Sequence, residues 1–232
     1  MSEKGNQAVK TVSFMMLITL FGKILGMVRE QLLAANYGTD MQAAAFLLAS
    51  RIPRTFFDVI FASAISASFI PVFVEYLQKK GRQEAFSLAN RFITMISTVT
   101  LLMMLLGMAF AKPLTLLIAP GYDVETVTLC VGLLRMLFPT MLFTAVAFSF
   151  VGILQSLEEF NVPAALSVVS NGVLILYYIF FNEKFGILGL TVAFLIGWAM
   201  QAVIQIPSLW KKGYHYRPDF HFKDEGLRKI GR

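Results

Sequence analysis

The sequence predicts an all-α integral membrane protein, a six-helix transmembrane bundle, and three observations lead there. The first is composition: of 232 residues 57% are apolar and only 15% charged, with a mean hydropathy of +0.69. A soluble domain of this size cannot hide that much apolar surface, because more than half of its residues would have to lie inside. The second is continuity. Apolar runs of 18 residues or more recur along the chain, whereas barrel strands would alternate over segments of about ten residues. The third is the placing of charge, which falls mostly at the ends of those runs. Together these exclude a disordered chain, a coiled coil and a nucleic-acid module. The single Cys130 sits in an apolar run, so no disulfide framework is present either. The net charge of +6 would suit nucleic acid, but its distribution is that of a topology signal.

The first span covers 11–37. Its start, TVSFMMLITLF, follows a polar decapeptide in the manner of a signal peptide. The helical pattern then runs on through GKILGMVREQLLAA without a small-residue cleavage site, so the span is expected to be retained. The second covers 41–77, with an expected interruption at Arg51-Ile52-Pro53-Arg54. The third, 85–111, is ended by Lys112-Pro113 and followed by a short apolar hairpin, PLTLLIAPGYD. Spans four to six cover 124–157, 162–181 and 187–211. Residues 1–211 thus form the bundle, and 212–232 a polar, solvated tail.

Lys and Arg near the span ends set the orientation. Lys4, Lys10, Lys79, Lys80, Arg82, Arg91 and the seven bases from Lys211 to Arg232 lie on one side. Only Lys112 and Lys184 lie on the other. Both termini are therefore expected in the cytoplasm, which requires an even number of spans.

Five bases fit no loop: Lys23, Arg29, Arg51, Arg54 and Arg135. A charge near the centre of a membrane helix costs at least about 2.5–3.5 kcal/mol, so such residues face a partner or a wet cavity. One reading is local pairing or snorkelling, since Arg54 and Asp58 are four residues apart and Lys23 and Arg29 could reach the headgroups. The other is a cationic cavity for an anionic substrate. Glu30 and Asp58, the acids within these two spans, cannot neutralise Lys23, Arg29, Arg51 and Arg54. The planar fork of Arg suits phosphate. Gly22 and Gly26 flank Lys23, and Pro53 separates Arg51 from Arg54, so the cations stand beside points where a helix can bend. The small-residue runs AAAF (43–46) and ASAISAS (62–68) read mainly as helix-packing surfaces.

Other chemistry is not signalled. Gly22-Lys23 lacks the earlier Gly and the following Ser or Thr of a phosphate loop. His215 and His221 flank Asp219 without further metal ligands. No nucleophile–base or paired-carboxylate arrangement points to an enzyme, and no cofactor is implied.

The runs SFMMLITLFGKILGMVREQLLAANYG, AAAFLLASRIPRTFF and ASFIPVFVEY resemble the start of the MviN/MurJ-type lipid II flippases. These belong to the multidrug/oligosaccharidyl-lipid/polysaccharide exporter superfamily. The resemblance continues in order through IAPGY, LLRMLFP, GILQS, FNVPA, SN (170–171), GILGL and IGWAMQAVIQIPSLW, so it spans essentially the whole chain. It implies a bacterial cytoplasmic-membrane flippase that moves undecaprenyl-pyrophosphate-linked peptidoglycan precursor by alternating access between two helix bundles. By motif, Arg29 matches an arginine that faces the cavity, Lys23 falls where another arginine is usual, and Arg51 falls where a base is common. The sequence departs from the family at Ala44, at Phe57-Asp58 and at Ala62-Ser63, where an acid, an Arg-Arg pair and a Glu-Gly pair are usual. Arg54, one turn before Phe57, is expected to take over the missing charge. The resemblance also implies about twice this length, so the chain reads as the N-terminal half of a two-bundle flippase. Its expected partners are a lipid-linked pyrophosphate saccharide, membrane lipids and a second six-helix bundle from a partner chain or a second copy. An exporter of another polyprenyl-linked saccharide and a truncated, non-transporting fragment remain as alternatives.

Overall fold

A computed structural model describes residues 3–62 and 64–230. Ser63, half of the Ala62-Ser63 pair, lies outside the described residues. The first helix, α1 (Glu3–Tyr37), ends where Gly38 adopts φ +57° and its N–H closes on the Ala34 carbonyl at 2.8 Å. That left-handed cap is open to glycine at no steric penalty. Helix α2 (Met41–Phe57) follows the extended Asp40. The expected interruption at Arg51–Arg54 is absent: α2 continues through Pro53 because Ile52 and Pro53 are buried against neighbouring spans. The irregularity comes later, as two π-helical stretches, Asp58–Ala62 and Ala64–Phe69, before α3 (Ile70–Lys79).

Helix α4 (Arg82–Ala109) forms the third span. The expected hairpin after it is instead a short helix, α5 (Ala111–Ile118). Lys112-Pro113 sits in its first turn, where a missing N–H breaks no helical bond. Helices α6 (Val124–Leu137) and α7 (Thr140–Ser156) share the fourth span and part at Pro139. Asp123 caps α6, its carboxylate accepting from Glu125 N and Thr126 N at 3.2 and 3.3 Å. The fifth span holds α8 (Asn161–Ala164) and α9 (Leu166–Phe180), and the sixth holds α10 (Asn182–Val203) and α11 (Ile206–Lys211). The sixth span begins five residues before the expected 187. It breaks at Gly186, whose φ of +54° leaves its carbonyl free to accept from Tyr177 Oη at 2.7 Å. A last helix, α12, covers Glu225–Ile230. Six helices are thus long and apolar enough to cross a membrane, and no strand occurs among the described residues.

The core is aromatic and tightly packed. Phe69 and Phe92 stack at 4.2 Å between ring centres, and Phe57 packs on Phe61 and Phe148. The outer faces carry exposed Leu102, Leu105, Leu117, Ile179 and Leu188, as a lipid environment permits. Where helices approach most closely, small residues are required. Gly22 and Gly26 of α1 lie against Ser167 and Asn171 of α9, with the same four-residue spacing on both helices. They therefore pack an unbroken helix, where the sequence had suggested points of bending. Gly197 of α10 rests on the backbone of α9, and a Cβ there would stand 3.1 Å from the Ser170 carbonyl oxygen. Gly197→Leu is expected to force α9 and α10 apart and to destabilise the bundle by roughly 1–3 kcal/mol. A detergent melting curve unchanged from that of the parent would refute this.

Residues 212–230 remain largely solvated but are not a free tail. They return along the end of α4 as a strap. Tyr214 is fully buried and donates to Asn90 Oδ1 at 2.8 Å, while Tyr216 Oη meets Thr94 Oγ1 at 3.0 Å. Arg91 takes two acids of the strap, Asp219 at 2.9 Å and Asp224. Lys229 bonds Glu75 at 3.1 Å, and Leu227 and Ile230 are buried. The physical reason is twofold: Arg91 is neutralised by Asp219 and Asp224, and Tyr214, Leu227 and Ile230 leave solvent only when the strap is docked. The backbone N–H of His221 is the main influence holding the Asp219 carboxyl down to about 2, with its imidazole and Arg91 adding to the effect against the opposing influence of burial. A carboxyl depressed in the folded state stabilises that state above its unfolded pKa, near 4, and loses the contribution as pH falls toward 2. His221 belongs to the strap itself, so only the share due to Arg91 is tied to docking, and strap closure is expected to loosen modestly between about 4 and 2. Amide exchange of 214–224 across that range is the check.

Candidate functional site

Three of the four candidate cations converge. Arg29, Arg51 and Arg54 line one cavity of about 150 Å³ between α1, α2, α9 and α10. At 1.5 Å per residue, Arg29 lies about 12 Å below the end of α1, and Arg51 and Arg54 about 15 and 20 Å from the start of α2. With the α1–α2 turn at one boundary, half of a hydrocarbon core, about 15 Å, would put the three guanidinium groups near mid-depth.

Their environments differ. Arg29 is three-quarters buried and donates to Asn171 Oδ1 at 3.1 Å and to Glu30 Oε1 at 3.3 Å. Arg54 pairs with Asp58 at 3.4 Å in the open, the i,i+4 contact that the spacing predicts. Arg51 is exposed to the cavity side and has no hydrogen bond or ion pair among the described residues. Local pairing and a cationic cavity thus coexist: Glu30 and Asp58 each take one Arg, and Arg51 is left over. The arrangement offers a planar donor fork with no acid of its own, lining one cavity with two further forks, and guanidinium forks match the geometry of oxyanions.

The fourth candidate, Lys23, is not in this cavity. It is exposed and lines a separate groove with Val12, Met15, Met16, Thr19 and Leu20. Six residues separate it from Arg29, and at about 100° per residue that turns it some 120° away on the same helix. Arg135 also points elsewhere, donating to the Met108 carbonyl at 3.2 Å.

Sequence reasoning missed two parts of the site. One is Asn171, which is buried between α1 and α9. Its Nδ2 donates to the Gly22 carbonyl at 3.1 Å while its Oδ1 receives Arg29, so it links the guanidinium to the α1 backbone. An amide inside the apolar run SVVSNGVLILYY demands such partners, and that was the available signal. The other is an aromatic floor: Phe194 stacks on Trp198 at 4.0 Å and meets Phe46 edge-on at 5.7 Å, with Tyr178 beside them. The i,i+4 spacing of Phe194 and Trp198 places both on one helix face.

With this geometry in place, comparison with known proteins is decisive. The family model for lipid II flippase MurJ matches residues 33–232. The chain belongs to the lipid II flippase MurJ family. It is 31% identical over 218 residues to the protein named "Probable lipid II flippase MurJ" of Buchnera aphidicola from Acyrthosiphon pisum, covering 92% of this chain and 43% of that one. With the lipid II flippase MurJ of Burkholderia cenocepacia it shares 26% identity, over 83% of this chain and 38% of the relative. Among solved structures, lipid II flippase MurJ in an inward closed conformation superposes with a TM-score of 0.76 at 26% identity, over 94% of this chain and 46% of that one. A MOP superfamily transporter from Pyrococcus furiosus shares the fold, with a TM-score of 0.73 at 16% identity over 95% of this chain and 50% of the other. The chain therefore spans less than half the length of these MurJ relatives. Membership of the MurJ family and six apolar spans make it a multi-pass membrane protein.

Proposed function

We propose that this chain forms one wall of a flippase that carries lipid II across the bacterial cytoplasmic membrane by alternating access. The observation that carries the reading is the convergence of Arg29, Arg51 and Arg54 on one cavity in a chain of the MurJ family. The pyrophosphate sits among the three guanidinium groups, and the aromatic floor of Phe194 and Trp198 takes the apolar faces of the headgroup. The lipid tail stays in the bilayer. Lys23 stands on the open face of α1, which a second six-helix bundle would meet, and belongs to the shared wall beyond the Arg cavity. One bundle offers one wall, so the transport path needs a second six-helix bundle facing this one. Both termini face the cytoplasm, following the excess of Lys and Arg on that side.

Binding is the direct test: lipid II, other polyprenyl pyrophosphates and an organic cation are compared on the purified chain. Preference for lipid II is expected, and equal or tighter binding of the cation would overturn the reading. Arg54→Ala is expected to weaken binding and in vivo complementation by roughly tenfold, the value of one charge-assisted contact in water-accessible surroundings. Undiminished flipping by an inserted Arg54→Ala protein would remove Arg54 from the site.

A further inference from the structure

We propose that the segment from Trp210 to Lys223 is a binding surface for the headgroups of anionic phospholipids. The first argument is how its charges are sorted. Its acid, Asp219, points inward and is taken by Arg91, as is the following Asp224. Lys211, Arg217 and Lys223 point outward and are exposed, with no acid partner among the described residues. The second is the apolar surface between them. Trp210, Phe220 and Phe222 are 58%, 67% and 40% exposed. Three such rings on a water-facing segment would be unfavourable, whereas at headgroup depth aromatic rings are preferred residues.

The third argument is depth. Helix α4 has 28 residues, or about 42 Å, against a hydrocarbon core of about 30 Å. If Ala109 marks one boundary, the other falls about 20 residues earlier, near Asn90. Asn90, Arg91 and Thr94 are the residues of α4 that hold the strap. Trp210, at the end of the sixth span, stands four residues before Tyr214, which bonds Asn90. The strap thus lies in the headgroup layer with its bases and rings exposed, and lipid phosphates are the anions present there. Juxtamembrane bases are drawn to an anionic leaflet by its negative surface potential. The inference needs only the chain's place in a bilayer and does not rest on the transport reading.

Trp210 reports the answer directly once the buried Trp198 is removed as Trp198→Phe. The full chain is placed in nanodiscs of equal parts phosphatidylcholine and phosphatidylglycerol, with brominated acyl chains on one lipid or the other. Brominated phosphatidylglycerol is expected to quench Trp210 at least about twofold more than brominated phosphatidylcholine, because the anionic lipid gathers at the strap. The preference should shrink as salt rises and vanish in a Lys211→Gln, Arg217→Gln, Lys223→Gln variant. Equal quenching by the two lipids would overturn the proposal, as would a preference indifferent to salt or surviving in the triple variant. Should that variant fail to insert, the salt series on the parent decides.

Discussion

Replacing Arg29 with Gln is expected to abolish lipid II transport while leaving insertion and stability intact. Arg29 is the most enclosed of the three cavity cations, and it alone is held by a buried partner, Asn171. Its second contact, Glu30, is exposed and contributes little by itself. The guanidinium is thus aimed by α9 and left with donors to spare, the condition for a two-pronged grip on a pyrophosphate. Gln is shorter but keeps the straight stem and an amide donor, and it removes charge from a membrane helix, which eases insertion. Loss of the charge-assisted contacts is expected to weaken lipid II binding by roughly 3 kcal/mol or more, about a hundredfold. Complementation, binding and a melting curve on one preparation separate the outcomes. Normal binding by a stable variant would exclude Arg29 from the site. Joint loss of binding and stability would mean that the residue serves packing.

Replacing Arg91 with Gln is expected to open the strap. Arg91 faces two carboxylates at once, and all three side chains are at most a quarter exposed. Removing the base leaves Asp219 and Asp224 close together without neutralisation. A fully buried case would lose about 3–5 kcal/mol. Partial exposure screens this one, and on the order of 1–2 kcal/mol is expected. Amide exchange of 214–230 should rise by roughly tenfold, with the interior of α7 and α9 unchanged. Exchange that rises everywhere equally would indicate that Arg91 supports the whole bundle. An unchanged strap would show that Tyr214, Leu227 and Ile230 hold it by packing alone.

How much of this was legible beforehand depends on the range of the interaction. Arg29, Arg51 and Arg54 were legible because charge in an apolar run is anomalous wherever the helix points. Lys23 carried the same signal and is placed elsewhere, since only its angular position on α1 distinguishes it. Asn171 and the Phe194–Trp198 pair gave weaker signs, because an amide or an aromatic in an apolar run says that partners exist without naming them. The strap was read as solvent-exposed for a similar reason. Its polar composition is also what a docked segment shows when its partners are polar side chains on other helices, here Asn90, Arg91, Thr94 and Glu75.

The sequence by itself determined six spans, the side on which the bases gather, and the residue types able to bind an oxyanion. These follow from local quantities: hydropathy summed along one helix, and the penalty for charge in hydrocarbon. Only the tertiary structure decided which cations share a cavity, what aims Arg29, that Gly22 and Gly26 serve contact, and that 212–230 is held. Each of those depends on the rotation of one helix against another. That rotation is set by side chains more than a hundred residues apart, as Gly22 with Ser167 and Arg91 with Asp219 show.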